Sequence, residues 1–123
     1  MITKNQIKFI KALHLKKNRI KHKCFIVEGE KNVLELVSSN YEIVQLYAIN
    51  EWEYMLEDID VCFVSRNTLL KISQLKSPNK VLAIVKIPEK EALNSNKGLT
   101  LVLDKINDPG NLGTIIRLCD WFS

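Results

Sequence analysis

The chain has 123 residues, room for one domain of ordinary size. Hydrophobic residues make up 46% and charged residues 26%, the balance of a globular protein with one core; no stretch approaches the ~20 uninterrupted apolar residues of a membrane helix. Net charge is +4, but residues 1–23 carry eight of the 18 basic residues and no acid, leaving 10 bases against 14 acids for the rest.

Thr3 followed by Gln6 has the form of a capping box. From there to about Leu15 the spacing predicts a helix, with Ile2, Phe9, Ile10 and Leu13 on one side and Lys4, Lys8 and Lys11 opposite. These lysines alternate with apolar positions, so the N-terminus lacks the continuous apolar segment of a signal peptide. Lys16 to Lys23 reads as a basic loop, and Cys24–Val27 as a short buried strand. Glu28-Gly29 breaks that strand, and Glu30–Val37 returns to a helical pattern. Ile43–Ile49 reads as a strand, Glu51–Glu57 as a short acidic helix and Val61–Val64 as a strand. Ser65 is a candidate N-cap for a helix over Asn67–Leu75 that buries Leu69, Leu70 and Ile72. After the turn at Ser77-Pro78-Asn79 comes a strand from Val81 to Ile87. Strands separated by helices of this length predict an α/β layered domain with a largely parallel sheet.

Pro88 to Gly98 is polar and rich in helix breakers, and reads as a linker. Leu99 to Leu103 then starts another buried strand, Asp104 to Gly110 forms a loop and Asn111 to Phe122 a helix. The apolar face of that helix is Leu112, Ile115, Ile116, Cys119 and Phe122. One strand and one helix cannot build a domain, because each leaves an apolar face with nothing to cover it.

The segment with the most chemistry in it is Asp104 to Arg117. A strand delivers the chain to a Pro-Gly turn and Asn111 caps the helix that follows. Strand-end loops at helix N-termini are where α/β proteins bind anions and substrates. Gly113 permits close approach by another backbone, and Arg117 lies four residues later on the same face. Its guanidinium either pairs with Asp120 at i+3 or reaches a phosphate or sugar hydroxyl. The pattern is not a phosphate-cradling G-x-x-x-x-G-K-[ST] loop.

The run Asp108-Pro109-Gly110-Asn111-Leu112-Gly113-Thr114-Ile115-Ile116-Arg117 resembles the first motif of the SpoU (TrmH-like) RNA 2'-O-ribose methyltransferases of the SPOUT superfamily. The Lys16–Lys23 arm, Phe25-Ile26-Val27-Glu28-Gly29 and the Ser77–Val85 segment resemble the substrate-binding domain of the same family, an α/β/α sandwich similar to kink-turn-binding ribosomal proteins. The resemblance implies an RNA substrate-binding domain over residues 1–90, a linker over 91–98 and the first strand and helix of an incomplete trefoil-knot domain over 99–123. It implies methylation of ribosomal or transfer RNA by the full-length protein, with S-adenosylmethionine as cofactor. Asn111 would organise the active-site loop, and Arg117 would contact RNA at the target ribose and favour loss of the 2'-hydroxyl proton. The cofactor loops of the family lie beyond this sequence, so no residue here is assigned to the cofactor and this chain alone is expected neither to bind it nor to transfer a methyl group. Cys119 and Ser123 stand where small residues, commonly Ala and Gly, are usual in the family. The family commonly works as homodimers through its catalytic domain, which leaves this piece monomeric.

With that resemblance, Lys16, Lys17, Arg19, Lys21 and Lys23 become the phosphate contacts, rather than a merely solvated face. The competing function is a stand-alone, non-catalytic RNA-binding module, which accounts for residues 1–90 but not for an arginine-bearing helix after a linker. A small-molecule enzyme finds no nucleophile–base pair or metal constellation to work with. His14 and His22 have no Asp or Cys partner in sequence, and Trp52 and Trp121 read first as core and second as base-stacking platforms. Cys24, Cys62 and Cys119 are too far apart for a C-x-x-C zinc site, are odd in number, and fall in apolar runs where cysteine acts as a small hydrophobe. They point to a reducing, cytoplasmic setting with neither metal nor disulfide.

Overall fold

The computed structural model describes residues 2–54, 56, 59–89 and 100–122. The chain forms two compact units, residues 1–90 and 91–123. In the first, α1 (Lys4–Ala12), α2 (Lys16–His22), β1 (Cys24–Glu28), α3 (Glu30–Val37), β2 (Ile43–Ala48), β3 (Val61–Phe63), α4 (Arg66–Ile72) and β4 (Val81–Lys86) follow one another. In the second, the described residues hold one helix, α5 (Pro109–Trp121).

The fold is mixed α/β, with a four-stranded sheet in the order β1-β4-β2-β3. β4 runs antiparallel to both neighbours, Ile26 facing Ile84 and Leu46 facing Ala83, while β2 and β3 are parallel. The largely parallel sheet expected from helix-separated strands is therefore corrected. Helical crossovers do make β1 and β2 point the same way, but β4 slots between them from the opposite direction. Order of insertion leaves no trace in local sequence. Being central, β4 is apolar without alternation, and Val81 to Val85 are all buried.

Side chains leave the sheet on alternate faces. Leu82 and Ile84 join Tyr47, Ile49 and Cys24 on one face, covered by Ile10 and Leu13 from the α1 segment and Leu69 and Ile72 from α4. Val81, Ala83 and Val85 join Leu46 and Ala48 on the other, covered by Val33 and Leu36 of α3 and by Trp52. A fully buried residue such as Ile10 stabilises the fold by roughly 1.5–3 kcal/mol relative to exposure. Truncating it to alanine costs about 2–5 kcal/mol because a cavity remains.

Local signals place most of these elements. Thr3 and Gln6 form the reciprocal capping box of α1, and the Ser65 side chain accepts from the Thr68 N–H at the start of α4. α4 stops at Ile72, where Ser73 turns extended. Leu69 and Ile72 are buried as expected, whereas Leu70 points to solvent. The acidic helix expected over Glu51–Glu57 is absent from the described residues of that stretch; Trp52 drops into the core instead, and Glu51 pairs with Arg66 at 3.3 Å. The described part of the strand expected at Leu99–Leu103 is not one: residues 100–108 carry neither helix nor strand. A strand needs a hydrogen-bonded neighbour, and residues 100–122 contain none. The linker over 91–98 lies outside the described residues.

Candidate functional site

The basic arm is helical. Lys16 to His22 form α2, correcting the loop expected there, and Lys23 closes it in a left-handed conformation at φ 50°. The elevated charge of that stretch hid the helix, because its one apolar residue, Ile20, gives no periodicity to read. Its start is held by side chains rather than by burial. Asn18 Nδ2 donates to Ala12 O at 2.8 Å, and Arg19 Nη1 donates to Leu13 O at 3.1 Å and His14 O at 2.8 Å. These bonds take up carbonyls freed at the end of α1. Of the five expected phosphate contacts, Lys16, Lys17, Lys21 and Lys23 are exposed, while Arg19 is half-buried and tied to the backbone. The segment that forms α1 and α2 carries no acid of its own, so its exposed lysines can meet phosphates.

The two histidines are structural. His14 Nε2 lies 2.9 Å from Ile72 O, linking the α1 segment to the end of α4. His22 sits edge-on to Phe9 with ring centroids 5.2 Å apart. Burial pushes the Cys24 thiol above its ordinary range, with Lys86 opposing weakly, so it is a poor nucleophile. Cys62 is half-buried, whereas Cys119 is exposed rather than packed.

In the second unit, Asp108 is the N-cap of α5, not Asn111: Asp108 Oδ2 accepts from the Asn111 N–H at 2.7 Å. Pro109 takes the first helical position, which needs no N–H. Asn111 thus lies in the first turn. It lines a groove of about 420 Å³ with Lys105, Asp108 and Thr114. Arg117 is exposed and lines a different groove of about 200 Å³ with Thr114, Leu118 and Trp121. Asn111 and Arg117 are six positions apart, about 9 Å along the axis and about 120° around it. Among the described residues, only Thr114 borders both grooves. A Cβ added at Gly113 would meet nothing within 4 Å. The apolar side chains of α5 are exposed except half-buried Ile115. Trp121 is 79% exposed whereas Trp52 is 3% exposed, which removes Trp52 as a stacking platform.

Residues 4–83 match the MRM3-like substrate-binding domain. The chain belongs to that family. The match runs from the first residue of α1 into β4, so the lysine-rich helices are part of the MRM3-like domain and α5 lies beyond it. The chain is also 33% identical over 122 residues to the 23S rRNA (guanosine(2553)-2'-O)-methyltransferase RlmP of Bacillus subtilis (strain 168), covering 95% of this chain and 48% of that protein. A solved structure assigned to the TrmH family of RNA methyltransferases, from Porphyromonas gingivalis, superposes with TM-score 0.81 at 33% identity, over 99% of this chain and 49% of that one. The SpoU methyltransferase AviRb from Streptomyces viridochromogenes, solved in complex with AdoMet, superposes with TM-score 0.68 over 94% of this chain and 48% of that one. Its identity is 20%, so that likeness is one of fold. The chain spans about half the length of the relatives it matches. The MRM3-like domain carries one polar tie that sequence reading passed over: Glu28 accepts from the Ser73 hydroxyl in a short bond and from the Gln74 N–H at 2.9 Å. A carboxylate next to Gly29 was the available signal.

Proposed function

We infer that this chain is the RNA-binding part and first catalytic motif of an RNA 2'-O-ribose methyltransferase acting on ribosomal RNA. In this reading residues 1–90 are the substrate-binding domain, an α/β/α sandwich of the kink-turn-binding kind. Residues 91–98 are the linker, and 99–123 begin the trefoil-knot catalytic domain. Its single strongest support is a coincidence of location: the residues matched by a substrate-binding family include the acid-free arm with Lys16, Lys17, Lys21 and Lys23 exposed. Phosphate contacts from that arm supply affinity without sequence choice. The 23S rRNA specificity of the relative RlmP favours ribosomal over transfer RNA.

Arg117 and Asn111 carry the chemistry in this reading. A 2'-hydroxyl becomes a nucleophile as it loses its proton, and the guanidinium of Arg117 stabilises the developing alkoxide without itself titrating. Asn111, about 1.7 turns earlier on the helix, organises the loop that presents the ribose. S-adenosylmethionine supplies the methyl group in the whole protein, as the AdoMet-bound neighbour suggests. The residues present here do not suit that cofactor: apart from Ile106 and Ile115, the groove beside Asn111 is lined by exposed side chains, and a bound cofactor needs most of its surface enclosed. No residue of this chain is assigned to it. No helix among the described residues is long and apolar enough to cross a membrane, in keeping with a cytoplasmic enzyme. Homodimerisation belongs to the full-length protein in this reading.

The test uses the full-length protein, a 23S rRNA transcript and labelled methyl donor. Arg117→Ala is expected to abolish methyl transfer while leaving RNA affinity intact. Transfer at the unaltered rate overturns the assignment.

A further inference from the structure

At the end of α2 an apolar groove opens beside the arm's lysines. It has a volume of about 550 Å³ and is lined by Ile20, Lys23, Ile87, Pro88 and Glu89. Ile20 is 64% exposed and Ile87 40% exposed. A single exposed isoleucine means little. Here two isoleucines and a proline converge on one groove, and Ile20 is the one apolar residue of a helix otherwise made of Lys, Asn, Arg and His. The walls are fixed to each other: the Lys23 N–H donates to Ile20 O at 3.4 Å, and Lys23 O accepts from the Ile87 N–H at 2.8 Å. The groove is preformed.

We propose that this groove receives one unstacked nucleobase of the bound RNA, while Lys16, Lys17, Lys21 and Lys23 hold the neighbouring phosphates. The inference rests on the RNA-binding reading above and adds the state of RNA that is bound. Charge decides the occupant. Lys16 lies one turn before Ile20 on the same helix face, and Lys23 lines the groove itself, so polyanion backbone runs along its rim. Glu89 stands among the lining residues, where its carboxylate repels a phosphate or an acidic side chain. A nucleobase suits both demands, bringing an apolar face for the isoleucines and N–H donors for the carboxylate. Bases in a duplex are stacked and paired, so their faces cannot enter; loops, bulges and single strands offer them.

The experiment measures binding of the 123-residue chain to a labelled 12-nucleotide single strand and to a blunt duplex of equal length, at two salt concentrations. Wild-type protein is expected to prefer the single strand by about fivefold or more, the low end of what one base contact contributes. Ile20→Ser, at an exposed position, is expected to erase that preference while leaving the salt dependence unchanged. Changing the four lysines to Gln is expected to weaken both ligands alike and flatten the salt dependence. Equal affinity for strand and duplex in the wild type overturns the proposal, as does a preference that survives both Ile20→Ser and Ile87→Ser. Displacement of RNA by polyglutamate at equal charge concentration overturns it too, in favour of an acidic protein partner. Loss of all RNA binding in the wild type instead removes the parent reading.

Discussion

Arg19 in α2 donates from Nη1 to the carbonyl oxygen of His14 at 2.8 Å, and His14 in turn places its Nε2 2.9 Å from Ile72 O. The two residues make a polar chain from the basic helix, across the end of the α1 segment, to the end of α4. That chain separates Arg19 from the lysines around it. Arg19→Ala is expected to destabilise the protein by about 1.5–3 kcal/mol, since a charged donor to two carbonyls is lost. Lys17→Ala, at an exposed position, is expected to stay within about 0.5 kcal/mol. In RNA binding the order reverses, with Lys17→Ala lowering the salt slope by about one and Arg19→Ala leaving it alone. Thermal melts and a two-salt titration on the same two variants check both halves. A melting temperature unmoved by Arg19→Ala shows the chain to be dispensable.

Glu28 and Gly29 close the opposite end of β1. The Glu28 carboxylate holds Ser73 and Gln74, more than forty residues away, at the point where α4 ends. Gly29 has φ 102°, and a Cβ there would come 3.3 Å from Asn79 Nδ2. Gly29→Ala therefore meets backbone strain as well as crowding and is expected to cost about 1–3 kcal/mol. Glu28→Ala leaves the Gln74 N–H without its acceptor and is expected to cost about as much. Urea unfolding of each variant measures this. A midpoint equal to wild type for Gly29→Ala means the left-handed backbone is easily relaxed.

What was readable from sequence follows from how local each signal is. The Thr3–Gln6 box, the Ser65 cap and the apolar runs at Cys24 and Val81 act over three to six residues, and the structure has each where it was expected. Sheet order was not readable, because the insertion of β4 between β1 and β2 depends on contacts far apart in the chain. α2 was hidden because side-chain donors, Asn18 and Arg19, hold it to carbonyls five and six residues back in place of an apolar stripe. Trp52 is buried as first read and Trp121 is not: core volume, not neighbouring charge, decides where an indole goes. At the candidate site, the motif named Asn111 and Arg117 together, yet they border separate grooves on α5. Residue spacing fixes faces on a helix, whereas a shared ligand depends on what approaches those faces.

Tyr47 and Cys24 predict an alkaline limb in stability. Both are buried in the cluster beneath α1 and α4, and burial is the main cause pushing both groups above their ordinary values, with Cys62 adding to the effect on Tyr47. The unfolded chain therefore releases these protons first. The stabilising contribution is complete below the unfolded values, about 8.5 for Cys and about 10 for Tyr, and is lost as pH rises through and past them. Melting temperatures measured from pH 7 to 11 are expected to fall in that window, and Tyr47→Phe to flatten the upper part of the fall. Lys86 is exposed beside Glu42 at 2.6 Å, and although its hydrogen bond raises its value, solvent screens the pair. Lys86→Gln removes the charge that opposes the rise of the Cys24 thiol, so it is expected to deepen the lower part of the limb slightly and leave the Tyr47 part as it is. An identical alkaline fall in Tyr47→Phe rules out the phenol as its source.

The Asp108 cap carries more of α5 than a cap usually does. No residue of α5 is buried, so packing does little to hold it, and a helix of 13 residues is near the length at which isolated helices are marginal. Asp108 takes up one free N–H and places a carboxylate at the positive end of the helix, while Pro109 pre-sets the first turn. Asp108→Ala is expected to cost about 1 kcal/mol, paid locally. Amide exchange at Ile115 to Leu118 should quicken about fivefold, while Val85 at the centre of the sheet exchanges as in wild type. Asp108→Asn keeps a side-chain acceptor and should restore most of the protection. Should exchange in α5 stay unchanged in Asp108→Ala, something other than its cap holds the helix that presents Arg117.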